Sequence, residues 1–183
     1  MSIWDRCAES VYRIATGGRR QRFLATPLLG SFYLGLAALL VFASFWVDER
    51  LTLLHFDPTW WSLGLSVLLL VPACLIMVWP VMQFFRARGT PVPLNPPKKL
   101  ITTGLYAYIR NPMILGLLLL LLGLGILFGS LSLILIFTPL FIVPNILYLR
   151  AVEEKEMEKK FGQEYLEYKK KVPMSIPRLR KMK

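Results

Sequence analysis

Residues 104–113 read GLYAYIRNPM, and they lead directly into a long stretch that carries no charge. Residues 111–149 contain no Asp, Glu, Lys or Arg, and Arg110 immediately precedes them. Glu153 and Glu154 follow shortly after the stretch ends. A segment that crosses a bilayer and returns brings its two ends to the same surface. We therefore predict a polar site at the membrane surface, formed by Arg110 and the glutamate pair.

The composition is typical of an integral membrane protein. Of 183 residues, 55% are hydrophobic, and the mean hydropathy is +0.53. These values exceed those of a soluble domain of this size and predict one membrane domain covering residues 1–183. The formal net charge of +11 fits basic loops at a membrane better than nucleic-acid binding, because no basic stripe lies on a soluble domain.

Three uncharged stretches predict four membrane spans. Residues 23–47 and 59–85 are each long enough to cross about 30 Å of hydrocarbon. Residues 113–149 would form a helix of about 55 Å, which is too long for one crossing. Gly129 and Ser130 near the middle of this stretch favour a turn. The sequence therefore predicts an all-α polytopic membrane protein whose C-terminal half contains a helical hairpin.

The distribution of basic residues predicts the orientation. Residues 1–22, 86–112 and 150–183 contain 21 of the 22 Lys and Arg residues, and only Arg50 lies on the opposite side. Cytoplasmic segments carry the excess of basic residues, so we expect both termini in the cytoplasm. Asp-Glu-Arg at residues 48–50 is expected to stop the first span on the far side.

The C-terminal region has helical periodicity. Its apolar residues are spaced by four, four, three and four positions: Met157, Phe161, Tyr165, Tyr168 and Val172. Lys and Glu occupy most of the other positions, which predicts a cytoplasmic amphipathic helix with this stripe against the protein. Gly162 is expected to break or bend it.

Two ordered motifs resemble those of a known family. LITTGLYAYIRNPM at residues 100–113 resembles the segment tGxYxxxRHPmY of isoprenylcysteine carboxyl methyltransferases and the related phospholipid methyltransferases. EEKEMEKKFGQEYLEYKKKVPMSIP at residues 153–177 resembles their EExxLxxxFGxeYxxYxxxVPxxxP segment. The resemblance covers residues 85–177, about half of the chain. Asn111 stands where the family usually has His, a change that also occurs in phosphatidylethanolamine methyltransferases.

The resemblance implies S-adenosylmethionine as methyl donor and a lipid or lipidated acceptor from the bilayer. One His and two scattered Cys predict no conventional zinc site. A guanidinium suits the carboxylate of the donor, and glutamates suit its amino group or ribose hydroxyls. The residues implied as catalytic are Arg110, Asn111 and Glu153. Those implied as cofactor-binding are Gly104, Leu105, Tyr106, Arg110, Asn111, Glu153 and Glu154.

The predicted organisation has three parts. Residues 1–22 form a basic flank that either lies in the interface as a helix or only sets topology. Residues 23–85 hold the first two spans. Residues 86–177 form the methyltransferase-like core, in which the proline-rich loop at 86–99 is expected to be a wall of the site rather than a simple linker.

Four functions remain open from the sequence. The first, which we take as the prediction, is methylation of a carboxylate, as in isoprenylcysteine carboxyl methyltransferases; the others are alternatives. The second is N-methylation of phosphatidylethanolamine or another phospholipid. A sterol-reductase-like enzyme that uses NADPH and a membrane scaffold without enzymatic activity are the other two. A transporter is disfavoured, because no ionisable residue lies inside a predicted span.

Overall fold

The computed structural model describes residues 19–51, 55–86 and 100–175. All regular elements in these ranges are helical, as the sequence predicts. The predicted flank up to residue 18 and the predicted site wall at residues 87–99 lie outside the described ranges.

Five helices make up most of the described chain: α1 (Arg19–Arg50), α2 (Trp60–Arg86), α3 (Pro112–Leu127), α4 (Leu133–Phe161) and α5 (Gln163–Lys171). A 3₁₀ turn at Gly104–Ala107 precedes α3. Within α4, the segments Leu133–Phe137 and Leu149–Glu153 are π-helical. Pro112 occupies the first turn of α3, where its missing N–H leaves no hydrogen bond unmade.

Two of these helices are long and apolar enough to cross a membrane. They are Trp60–Gln83 within α2 and α4, with mean hydropathies of 2.4 and 1.9. α3 is shorter, with 16 residues, and the predicted first span at 23–47 lies within α1. Large apolar side chains such as Phe42 and Leu75 face outward, which suits contact with lipid. The count of four spans stays a prediction.

The predicted turn between α3 and α4 lies at Gly129 and Ser130. Gly129 has a φ of +68°, and a Cβ added there would lie 1.9 Å from the Phe56 carbonyl oxygen. The Phe56 N–H donates to the Gly129 carbonyl at 3.0 Å, and an isolated bridge pairs His55 with Ser130. The segment before α2 therefore packs directly on the backbone of the turn, and a side chain at Gly129 does not fit.

Gly129→Ala should destabilise the fold more than Gly162→Ala. Both glycines have positive φ, which costs an alanine about 1–2 kcal/mol. Gly162 has open space around its Cβ position, whereas Gly129 does not. We expect Gly129→Ala to cost a further ~2 kcal/mol, the scale of overpacking. Unfolding of both variants in detergent, followed by circular dichroism, measures the difference. Equal losses of stability in the two variants would contradict a steric clash at Gly129.

α1 ends at Arg50, within the Asp-Glu-Arg segment that is expected to stop the first span. The Asp48 side chain is only 5% exposed, and its Oδ1 accepts a hydrogen bond from the Ser132 N–H at 3.2 Å. The Ser132 hydroxyl donates to the Ser44 carbonyl at 3.0 Å. The first N–H groups of a helix lack partners within the helix, so Asp48 also caps α4 from another helix.

The core lies between α3 and α4. Its buried side chains come from both helices and from one residue after α5: Ile114, Leu117, Leu121, Leu133, Phe141, Ile142, Leu149 and Met174. A second cluster of Tyr165, Tyr168 and Val172 packs with Met157 and Phe161. The predicted apolar stripe therefore faces the protein, although Gly162 divides it between α4 and α5.

Candidate active site at the base of the hairpin

The hairpin brings the start of α3 beside the last turns of α4. The Arg110 Nη1 atom donates to Glu154 Oε1 at 2.5 Å, and each of these side chains is 12% exposed. The two residues are 44 positions apart in sequence. The uncharged stretch folds back as predicted and brings Arg110 to the glutamate pair. Arg110 forms its ion pair with Glu154.

Arg110 is held from three directions. Besides Glu154, its Nε donates to the Val172 carbonyl at 2.9 Å, and its Nη1 also lies 3.3 Å from the Tyr165 hydroxyl. Its Nη2 has no acceptor among the residues that the structure describes. The guanidinium is therefore fixed in its plane, and one edge of it remains available to an acceptor from outside the described chain.

Glu154 is already committed on both oxygens. Its Oε2 accepts from the Lys169 Nζ at 2.6 Å, and Lys169 also donates to Glu158 at 2.8 Å. The hydrogen bonds to Glu154 and then to Glu158 raise the pKa of the Lys169 ammonium. Glu154 thus links Arg110 to α5 and orients the guanidinium.

Glu153 differs from its neighbour. Within the described ranges, no hydrogen bond or ion pair involves its carboxylate. Burial raises the pKa of the Tyr106 phenol, and the negative charge of Glu153 raises it further. The Glu153 carboxylate therefore lies close to the 3₁₀ turn. Glu153 ends a π-helical segment, a feature often found at functional sites. It is the carboxylate that stays available to a ligand.

The turn before Arg110 is shaped by α2. Gly104 has a φ of +65°, and a Cβ there would lie 2.5 Å from Gln83 Nε2 and 3.0 Å from Trp79 Nε1. The Gln83 amide also donates to the Thr103 carbonyl at 3.3 Å. Sequence reasoning did not single out Gln83 or Trp79, since neither lies in a recognisable motif.

The other predicted residues act here through their backbones. The Leu105 carbonyl accepts hydrogen bonds from the Tyr108 and Ile109 N–H groups, which closes the 3₁₀ turn. The carbonyl of the buried Tyr106 accepts a hydrogen bond from the Tyr168 hydroxyl at 2.7 Å. The Asn111 N–H donates to the Met174 carbonyl at 3.1 Å. The Asn111 side chain makes no capping bond to α3.

All seven predicted site residues therefore lie in one neighbourhood. Besides Gln83 and Trp79, the prediction left out residues that follow α4 in the chain: Tyr165, Tyr168, Lys169 and Val172–Met174. The spacing of the apolar stripe predicted the burial of the two tyrosines but not their hydrogen bonds. No sequence pattern signals a bond to a backbone carbonyl such as that of Val172.

A family model described as phospholipid methyltransferase matches residues 61–164, more than half of the chain. The matched part begins in α2 and ends in α5, so it includes the 3₁₀ turn, Arg110 and both glutamates. No curated protein matches the chain.

Glu154→Gln should weaken the fold more than Glu158→Gln. Removing the charge of Glu154 leaves Arg110 without its anionic partner in a largely buried setting, and we expect a loss of about 2–3 kcal/mol. Glu158 is 35% exposed and pairs with the same lysine, so its change should cost less than about 1 kcal/mol. Unfolding in detergent measures both. An equal loss in the free energy of unfolding of the two variants would show that the ion pair between Arg110 and Glu154 does not stabilise the fold.

Proposed function

The chain belongs to the phospholipid methyltransferase family, and from this premise we propose that it transfers a methyl group from S-adenosylmethionine to a lipid acceptor in a membrane. Family membership supports this enzyme over the scaffold and over the sterol-reductase-like alternative. The observation that carries the proposal is the pairing of Arg110 with Glu154, which fixes the guanidinium while its Nη2 keeps no acceptor among the described residues.

The charges of the site suit the groups of the donor. S-adenosylmethionine supplies a methyl group activated by a sulfonium, and its methionine end carries a carboxylate and an ammonium. Arg110 would bind that carboxylate through its Nη2 group, since hydrogen bonds between a guanidinium and a carboxylate are strengthened by the charge on both partners. Glu153 would accept from the ammonium or from ribose hydroxyls. Tyr106, whose ring is buried beside Glu153, would pack against the donor.

Glu153 also bears on the choice of acceptor. A carboxylate acceptor would be repelled by an unpaired glutamate, whereas an ammonium would be attracted to it. An amine must lose its proton before it can accept a methyl group, and Glu153 would take that proton. Glu153 therefore favours the amine of a phospholipid over the carboxylate of a prenylated cysteine as the acceptor.

The orientation follows from the sequence. Arg110 and Glu154 belong to the segments that carry nearly all Lys and Arg residues. We infer that the site opens to the cytoplasm, from which a water-soluble donor enters, while the acceptor enters from the bilayer.

Purified protein should bind labelled S-adenosylmethionine. We expect Arg110→Ala and Glu153→Gln to weaken this binding at least tenfold, about 1.4 kcal/mol, since each removes one charged partner of the donor. Glu158→Gln serves as the matched control, because Glu158 pairs with Lys169 away from the proposed donor contacts. The function would be refuted by wild-type protein that binds no donor.

The acceptor can be identified by incubating protein and donor with two substrates. Vesicles containing phosphatidylethanolamine present an amine, and a prenylated-cysteine peptide presents a carboxylate. We expect the phospholipid to gain the mass of one CH₂ per methyl group, and Glu153→Gln to lower that rate by about 10²-fold, the scale of general base catalysis. Methylation of the peptide alone, undiminished in Glu153→Gln, would instead establish the carboxylate acceptor.

A further inference from the structure

Residues 172–174, which we term the tail strap, run beside the segment that carries Arg110. The Arg110 N–H donates to the Pro173 carbonyl at 2.9 Å, and the Asn111 N–H donates to the Met174 carbonyl at 3.1 Å. The Arg110 Nε donates to the Val172 carbonyl at 2.9 Å. Three successive carbonyls of the tail strap thus hold two successive residues of the site that lie 62 or 63 positions earlier in sequence.

Both ends of the tail strap are anchored. Val172 is buried with Tyr165 and Tyr168, and Met174 is buried in the core between α3 and α4. The Met174 sulfur also accepts from the Arg150 Nε at 3.4 Å. The strap therefore rests on buried side chains at each end, while its backbone presents acceptors to the site.

The tail strap supplies hydrogen-bond acceptors that two groups of the Arg110 segment need: its backbone N–H groups and its guanidinium. The N–H groups of Arg110 and Asn111 lie just before α3 and outside any helical ladder, so they need partners from elsewhere. The guanidinium is rigid and planar, and its orientation is set once both Nε and Nη1 are bonded. Glu154 supplies the Nη1 contact from α4, and Val172 supplies the Nε contact from the tail.

We propose that the tail strap is a positioning element for methyl transfer: its carbonyls hold Arg110 so that the available Nη2 edge faces the donor carboxylate. The inference rests on the proposed function. It extends the site beyond residue 164, where the family match ends, and assigns a role to three residues that touch no substrate. The strap should affect donor affinity through Arg110 and through no other contact.

The test uses full-length Met174→Asp, which removes an anchor, and Pro173→Gly, which keeps every carbonyl but loosens the backbone. Ser175→Ala, one residue past the last bond of the strap, is the control. In both strap variants we expect the amide exchange of residues 110 and 111 to rise at least tenfold. The KM for S-adenosylmethionine should rise by a similar factor, with kcat changed less than twofold.

A double-mutant cycle separates positioning from general destabilisation. If the strap acts through Arg110, adding Pro173→Gly to Arg110→Ala should not weaken donor binding further. A merely structural role would weaken binding equally in both backgrounds and would overturn the proposal. Pro173→Gly that leaves exchange at 110 and 111 unchanged would overturn it too, even if Met174→Asp fails to fold.

Failure of the proposed function gives a different result. Wild-type protein that binds no S-adenosylmethionine refutes methyl transfer and, with it, the strap's role in donor binding. Hydrogen exchange at residues 110 and 111 requires no donor, so it still decides whether the strap holds Arg110.

Discussion

The ion pair between Arg110 and Glu154 is the constraint on which the rest of the site depends. Two charged side chains that are each 12% exposed lose much of their hydration, and their attraction compensates only if the geometry is good and the remaining donors and acceptors are satisfied. Apart from Arg110 Nη2, the donors and acceptors of the pair meet that condition. Lys169 takes the second oxygen of Glu154, while Val172 and Tyr165 receive the other bonds of Arg110.

The hairpin brings these two residues together, and specific contacts also fix its far end. The Gly129 turn admits no side chain because the Phe56 carbonyl fills that space. Asp48 reaches from α1 to cap the start of α4. These contacts set where α4 begins and hence which of its residues arrive beside Arg110. A turn shifted by one residue would rotate Glu154 away, since consecutive helical residues differ in direction by about a quarter turn.

Neighbouring glutamates consequently take different roles. Glu153 and Glu154 are equivalent by residue type and by motif, yet Glu154 is bonded on both oxygens and Glu153 on neither within the described chain. The π-helical segment that ends at Glu153 changes the direction of the side chains that follow it. The proposed assignment makes Glu154 the residue that orients Arg110 and Glu153 the residue that meets donor or acceptor. It also moves the preferred acceptor from a carboxylate to an amine.

The sequence by itself predicted the helical class, the turn at Gly129 within the hairpin, and the approach of Arg110 to the glutamate pair. Charge-free runs and helical spacing are properties of residues close together in the chain, so they can be recognised without the tertiary structure. Only the tertiary structure showed that Glu153 and Glu154 differ in their hydrogen bonds, that Asp48 caps α4, and that the strap at residues 172–174 holds Arg110. Those features depend on which backbone carbonyl or carboxylate lies within hydrogen-bonding distance of a group 44 to 84 positions away. Every residue carries the same backbone carbonyl, so side-chain identity cannot reveal such a partner.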